Sequence, residues 1–260
     1  MDNKLKNIGQ QVRFITCTLL LLMTSCAERQ PFNAVPRQPA PPALAAWQPT
    51  LHLADSALLS GVPAVALQVS DELLDKDPRN VEALIRRGDA LAALNRLSEA
   101  GISYSKALEL EPKNARAIVG YGRACLAQDP AAAESLFLRA VALDPGDPVA
   151  QNDLGVARDM QGHHGSAQEA YRKALGAAPT SVAAKVNLGL SMALSGNAPA
   201  AINLLQPLAA APDALPRIRQ DLALALTLGG HRDEAFSILS NELPVSQANR
   251  VMEGFEALKP

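Results

Sequence analysis

The chain repeats itself at an interval of about 34 residues, and this spacing constrains its fold more than any other feature of the sequence. In the clearest unit, residues 81–114, the eighth, twentieth, twenty-fourth, twenty-seventh and thirty-second places hold Gly88, Ala100, Tyr104, Ala107 and Pro112. The corresponding residues of the next two units are Gly122, Ala133, Phe137, Ala140 and Pro145 in 115–147, which is one residue short, and Gly155, Ala167, Tyr171, Ala174 and Pro179 in 148–181.

These residue types predict a pair of packed helices in each unit. Small residues at the eighth and twentieth places allow two helices to approach closely, and the aromatic residue fills the gap to the next unit. Proline at the thirty-second place ends the second helix, because it lacks an amide proton and clashes with the preceding turn. Only nine residues are aromatic, and strand-favouring residues are sparse, which also favours an all-helical fold.

The pattern resembles the tetratricopeptide repeat (TPR), and the resemblance implies an all-α superhelical solenoid. Weaker units at 47–80, 182–215 and 216–243 flank the three strong ones, giving about six helix-turn-helix repeats over residues 47–243. Degenerate end units are expected, because terminal repeats meet solvent on one side. Residues 244–260 then form a capping helix, in which Val251, Phe255 and Leu258 share one face.

The first 25 residues differ in kind from the rest. Lys4, Lys6 and Arg13 precede an apolar run at 14–23, which is too short to span a bilayer and is typical of an export signal. The run ends in Thr24, Ser25 and Cys26, and this segment resembles the lipobox of bacterial lipoproteins, although Met23 stands where that family most often has leucine. An ordinary secretory signal followed by a chance cysteine is the alternative.

The lipobox resemblance implies that residues 1–25 are removed and that Cys26 becomes a lipidated amino terminus carrying fatty acyl chains such as palmitate. Ala27 is not aspartate, so the family's sorting rule implies the outer membrane, with the protein facing the periplasm. Residues 26–46 contain five prolines and predict an extended tether. Cys125 alone remains in the repeats, so no disulfide can form within them.

No combination of residues predicts catalysis, a metal site or a small-molecule substrate. His163 and His164 lie in a turn with no further ligand at zinc-binding spacing, and Cys125 occupies a place that TPR proteins bury. The net charge of −2, with both signs scattered, argues against nucleic acid as a partner. We therefore expect no cofactor beyond the lipid on Cys26, and no enzymatic activity.

The remaining candidate site is a protein-binding groove. In TPR proteins the first helices of successive repeats line a groove that holds a partner's helix or extended peptide. Projecting the second, fifth and ninth places of each repeat onto this chain gives Arg116, Val119 and Arg123, then Val149, Asn152 and Val156, then Ala183, Val186 and Leu190. These residues predict a mildly basic entrance followed by an apolar floor.

The lipobox, the tether, the six repeats and the carboxy-terminal segments 222–226 and 246–249 together resemble the TPR lipoproteins of tight-adherence (Tad/Flp) pilus systems. The resemblance implies a role in assembling the pilus secretion machine, with the outer-membrane secretin and pilus-assembly components as partners. Two alternatives are left. One is a type IV pilotin-like or general envelope scaffold with the same architecture, which serves another secretin or a cell-wall complex. The other is an enzyme, for instance an envelope hydrolase regulated by repeats, which would need a second, catalytic domain.

Overall fold

The computed structural model describes residues 47–258, and this part of the chain forms thirteen helices and no strand. The described residues fall into two compact units, an amino-terminal unit (47–143) and a carboxy-terminal unit (144–258). The expected signal peptide, Cys26, the tether and the last two residues lie outside the described range.

The amino-terminal unit consists of six helices. They are α1 (Gln48–Leu59), α2 (Pro63–Lys76), α3 (Val81–Ala93), α4 (Leu97–Leu110), α5 (Ala115–Cys125) and α6 (Pro130–Leu143). Each helix packs against the next, and the first helices of successive repeats also touch, α1 against α3 and α3 against α5. This arrangement places α1, α3 and α5 in one layer, which we call the first-helix face of the unit.

The carboxy-terminal unit consists of seven helices. They are α7 (Pro148–Asp159), α8 (His164–Ala177), α9 (Val182–Leu194), α10 (Ala198–Ala209), α11 (Pro216–Leu228), α12 (Arg232–Ser240) and α13 (Val245–Glu256). The first helices α7, α9 and α11 again pack side by side. The predicted capping helix is α13, which buries Ala248, Met252 and Phe255 against α11 and α12.

Polar residues at the repeat boundaries start four of the first helices. Asn80, Asn114, Asp147 and Ser181 each accept a hydrogen bond from a backbone amide in the first turn of α3, α5, α7 and α9, at 2.8 to 3.3 Å. Such caps satisfy amide groups that have no partner inside the helix, and each contributes about 1 kcal/mol. The caps therefore mark the repeat boundaries through contacts within the first turn of each helix.

The turns between the two helices of a repeat also keep the 34-residue spacing. Gly61, Gly162, Gly196 and Gly230 adopt φ between +70° and +86°, and Asn95 takes the corresponding place with φ +67°. Glycine and asparagine are the residues that tolerate this left-handed conformation. The third repeat, which is one residue shorter, instead starts its second helix with Asp129, whose carboxylate accepts a hydrogen bond from the Ala132 amide at 2.9 Å.

The aromatic ring of each strong repeat occupies the space left by glycines, as the sequence predicts. A Cβ added at Gly88 would lie 2.6 Å from the Tyr104 ring, and one at Gly120 would lie 2.5 Å from the same ring. Because Gly88 is in α3 and Gly120 in α5, Tyr104 is held between two first helices. Tyr171 fills the corresponding space at Gly155 in the carboxy-terminal unit.

These features confirm the predicted all-α TPR solenoid. None of the described helices is long and apolar enough to cross a membrane.

Candidate protein-binding surface

A chain of ion pairs crosses the first-helix face of the amino-terminal unit. Arg86 of α3 bonds to Asp55 of α1 at 2.8 Å and to Glu82, one turn away on its own helix, at 2.5 Å. Only 8% of Arg86 is exposed. Burial opposes its positive charge, but the hydrogen bonds to Asp55 and Glu82 outweigh this effect and raise the pKa of Arg86. The pairs therefore compensate the buried charge of Arg86.

Asp89 joins three helices in the same surface. One carboxylate oxygen accepts a hydrogen bond from the Tyr104 hydroxyl at 2.6 Å, and the other pairs with Arg116 of α5 at 2.5 Å. Arg116 also lies 3.8 Å from Asp55. Burial, and then the negative charge of Asp89, raise the pKa of Tyr104, so its hydroxyl remains a hydrogen-bond donor over the physiological pH range.

The structure places the three predicted groove residues of α5 differently. Arg123 is exposed, and Arg116 is also exposed although it is paired with Asp89. Val119, in contrast, is only 8% exposed, because the fifth place of the repeat packs into the core. On α5, the two arginines are therefore the predicted residues with accessible side chains.

In the carboxy-terminal unit the predicted groove residues form a more apolar surface. Val149 is 47% exposed, whereas Val186 is 7% exposed and belongs to the core. Val156 and Leu190 are half-buried and pack against core clusters. Asn152 accepts a hydrogen bond from Asn187 of α9 at 3.0 Å, so polar side chains connect neighbouring first helices. Ala183 is exposed.

His164, the first residue of α8, is part of a structural hydrogen-bond network. Asp159 is contacted by His164 Nδ1 at 2.8 Å, by the Tyr171 hydroxyl at 2.8 Å and by the Ser191 hydroxyl at 2.7 Å. These bonds join α7, α8 and α9. Within residues 47–258 no three His, Cys, Asp or Glu side chains are grouped so that they could hold a metal ion. Cys125 is 7% exposed.

Sequence reasoning did not select the acidic partners of this surface. Asp55 and Asp89 occupy the ninth place of their repeats, the same place as Arg123, so the groove projection would have found them if it had been extended to the first two repeats. The sixth place, which lies outside the groove positions of the repeat, holds Arg86 and Asp221, both of them buried.

A family comparison agrees with this geometry. The tetratricopeptide-repeat model matches residues 51–115, 103–148 and 152–214, which together make up more than half of the chain. The chain belongs to the tetratricopeptide-repeat family. The matched ranges of this TPR protein include α2 to α6 and α8 to α10 in full, and therefore both arginines of α5.

The matches between the TPR region and curated proteins are short. The "FK506-binding protein-like" proteins of Mus musculus and Homo sapiens are 43% identical over 63 residues, which is 24% of this chain. The match spans only 18% of the length of those relatives.

Solved structures resemble the fold over much more of its length. The protein PilW, described as a widely conserved type IV pilus biogenesis factor, superposes with a TM-score of 0.70 at 20% identity, covering 79% of this chain and 98% of PilW. PilF of Pseudomonas aeruginosa gives a TM-score of 0.63 at 19% identity, covering 76% of this chain and 90% of PilF. At these identities the likeness is one of fold.

Proposed function

We propose that this chain is a non-catalytic scaffold that binds other proteins through its first helices during the assembly of a pilus machine. Two observations support the proposal: the chain is a TPR protein, and its fold covers nearly all of PilW, which is described as a type IV pilus biogenesis factor. A stack of similar helix pairs forms an extended surface, and repeat proteins bind their partners on such surfaces.

The proposed binding site rests on Arg116 and Arg123 of α5. Both side chains are exposed, and they are seven residues apart, which places them on one side of the helix, two turns apart. Exposed arginines bind carboxylates with two parallel hydrogen bonds, and arginine is enriched at protein interfaces. The pair with Asp89 holds Arg116 on this surface, and Arg123 extends the exposed cationic side of the same helix.

We further propose the anchor that the amino terminus implies. In this proposal Cys26 carries lipid, the protein resides in the outer membrane facing the periplasm, and residues 26–46 separate the solenoid from the bilayer. Several acyl chains together hold a protein firmly, whereas one chain is marginal.

Different observations favour different pilus machines, and each machine implies its own partners. The layout of signal, tether and repeats resembles Tad/Flp lipoproteins and supports the secretin and pilus-assembly components as partners. The resemblance of the fold to PilW and PilF favours the alternative in which the chain serves a type IV pilus instead. A general envelope scaffold would share the fold but have neither pilus partner.

Pilus assembly in the source bacterium tests the function. We expect that deletion of the gene removes surface pili, that Arg123→Glu reduces them at unchanged protein level, and that Lys106→Glu does not. Lys106 is an exposed cation on the second helix α4 of the same unit, so it controls for the charge change. Normal piliation of the deletion strain would contradict a pilus function, and equal effects of the two variants would contradict the site.

A further inference from the structure

The first repeat has exposed apolar side chains along the line where its two helices meet. Leu53 of α1 occupies the seventh place of this repeat and is 54% exposed. On α2, Val65 is 41% exposed, and Val69, one turn later at the twenty-third place, is half-buried. We call the surface formed by Leu53, Val65 and Val69 the end groove.

The second repeat shows what the seventh and twenty-third places contact inside the stack. They hold Arg87 and Ser103, whose side chains share a hydrogen bond of 2.7 Å. Arg87 also pairs with Asp71 of α2, the second helix of the preceding repeat, at 2.6 Å. The two places therefore lie side by side and face the preceding second helix. By the same repeat geometry, the end groove faces away from α3.

Later repeats cover the seventh place with a second helix as well. In the third repeat this place is Tyr121, and a Cβ added at Gly101 of α4 would lie 3.5 Å from its ring. In the fifth repeat it is Leu188, which is buried in one cluster with Tyr171 of α8. Leu53 is exposed because no described helix precedes α1. The end groove is thus a packing surface without its cover.

The last helix of the carboxy-terminal unit, in contrast, suits contact with solvent. The exposed side of α13 carries the polar residues Gln247, Asn249, Arg250 and Glu253. Terminal repeats of solenoids need such a polar outer side to stay soluble. The apolar end groove does not meet this requirement, so it needs another element to cover it.

The chain directly before α1 is apolar, although a free tether would not need to be. Residues 40–46 read Ala-Pro-Pro-Ala-Leu-Ala-Ala, whereas residues 28–38 include Glu28, Arg29 and Arg37. Segments that stay in solvent are typically rich in polar and charged residues. An apolar stretch next to an uncovered apolar groove favours contact between the two, because both then leave water.

The length of this stretch matches the length of the groove. Pro41 and Pro42 favour a polyproline II conformation, which rises about 3.1 Å per residue, so residues 40–46 span about 20 Å. The 12 residues of α1 are about 18 Å long. A reversal of the chain next to Trp47 therefore allows the stretch to run beside the whole of α1.

We propose that residues 40–44 fold back along α1 and cover the end groove. Pro41, Pro42 and Leu44 pack on it, in the place that a preceding second helix takes in the other repeats. Residues 26–39 remain as the tether. The inference goes beyond the proposed function, because it assigns a part of the predicted tether to the fold itself.

A double-mutant cycle tests the contact in the chain that begins at Ala27. The segment variant replaces Pro41, Pro42 and Leu44 by serine, and Leu53→Ala shortens a side chain of the groove. We expect Leu53→Ala to lower the melting temperature by about 2 to 4 °C when the segment is intact, and by less than half as much in the segment variant.

Ile102→Ala is the matched control, because Ile102 is 49% exposed on α4, outside the end groove. Its effect should be the same with the intact and the altered segment. Equal effects of Leu53→Ala in the two backgrounds would overturn the inference. A loss that depends on protein concentration and not on the segment would also overturn it, and would assign the groove to a second copy of the chain.

Disulfide trapping tests the direction of the segment. The chain from Ala27 onward has Cys125 as its one native cysteine, which Cys125→Ala removes. Ala40→Cys combined with Val65→Cys should then form an intramolecular disulfide under mild oxidation with copper phenanthroline, because the fold-back brings the two Cα atoms within about 7 Å. Ala40→Cys combined with Lys106→Cys is the control and should stay reduced.

Mass spectrometry and the loss of maleimide labelling detect the disulfide. The absence of a link between positions 40 and 65, equal yields for the two pairs, or links between two chains would each overturn the inference. The pilus function, tested by Arg123→Glu, and the anchor, tested by Cys26→Ser, would stand in every one of these cases.

Discussion

The hydroxyl of Tyr104 donates a hydrogen bond of 2.6 Å to Asp89, and the same tyrosine ring lies against the glycines of two successive first helices. One side chain therefore satisfies both the packing and the polar requirements of two neighbouring repeats. Asp89 in turn holds Arg116, so a residue of the core positions a residue of the surface.

Removing this hydrogen bond should weaken the amino-terminal unit without disturbing its packing. We expect Tyr104→Phe to lower the free energy of unfolding by about 1 kcal/mol, the usual net contribution of such a bond, because the ring stays in place and Asp89 keeps Arg116. Urea denaturation followed by circular dichroism measures the change. An unaltered unfolding midpoint would show that the bond contributes nothing.

The space beside Tyr171 leaves no room for a methyl group at Gly155, because a Cβ there would overlap the tyrosine ring. We expect Gly155→Ala to destabilise the protein by about 1 to 3 kcal/mol through overpacking. Gly176→Ala is the matched control, since a Cβ at this position of α8 meets nothing within 4 Å. The control should be neutral or raise stability by up to about 1 kcal/mol, because alanine favours helix. Similar melting temperatures for the two variants would contradict the packing account.

Asp221 should make stability depend on pH in an unusual direction. Its pKa in the folded state is raised to about 6, above the ordinary value of 3.8, so between these values the folded state binds more protons than the unfolded state. Asp221 therefore contributes most to the free energy of unfolding near pH 4, and this contribution is lost as the pH rises through 6. The loss is at most about 3 kcal/mol.

Denaturation of wild-type protein and of Asp221→Asn between pH 4 and pH 7.5 checks this prediction. The difference in the free energy of unfolding between the two proteins should grow in favour of the variant as the pH rises. A constant difference across this range would mean that Asp221 titrates normally.

The proposed anchor predicts where the protein is found. Cys26→Ser should release the protein from membranes into the periplasm while the solenoid stays folded, because the tether separates Cys26 from the first helix at Gln48. Cys17→Ala, inside the predicted signal, should leave it in the membrane fraction. Cell fractionation with immunodetection measures where each variant is found. Retention of Cys26→Ser in the membrane fraction would contradict lipid anchoring through Cys26.

The fold could be predicted from sequence because its determinants are local and repeated. Asn114 and Asp147 begin helices through their own first turns, and Gly88 and Tyr104 meet within one repeat. The degenerate fifth repeat also folds as predicted, although Pro207 lies inside α10, where it is exposed near the end of the helix.

The site was less predictable because it depends on neighbours from different repeats. Arg116 and Asp89 are 27 residues apart, and no local pattern indicates that they form an ion pair. Val119 and Val186 follow the groove spacing but are buried, since adjacent first helices pack closely at the fifth place. The same close packing buries Asp221, whose Oδ2 atom accepts no hydrogen bond from any described residue.

Site-specific photocrosslinking in living cells asks whether the first helices bind a pilus-assembly partner. A photoreactive residue would replace Arg123 on α5 in one strain and Lys106 on α4 in another. We expect that irradiation links position 123, but not position 106, to a secretin or another pilus-assembly protein identified by mass spectrometry. Crosslinks from position 106 alone, or from position 123 to cell-wall enzymes and no pilus protein, would contradict it.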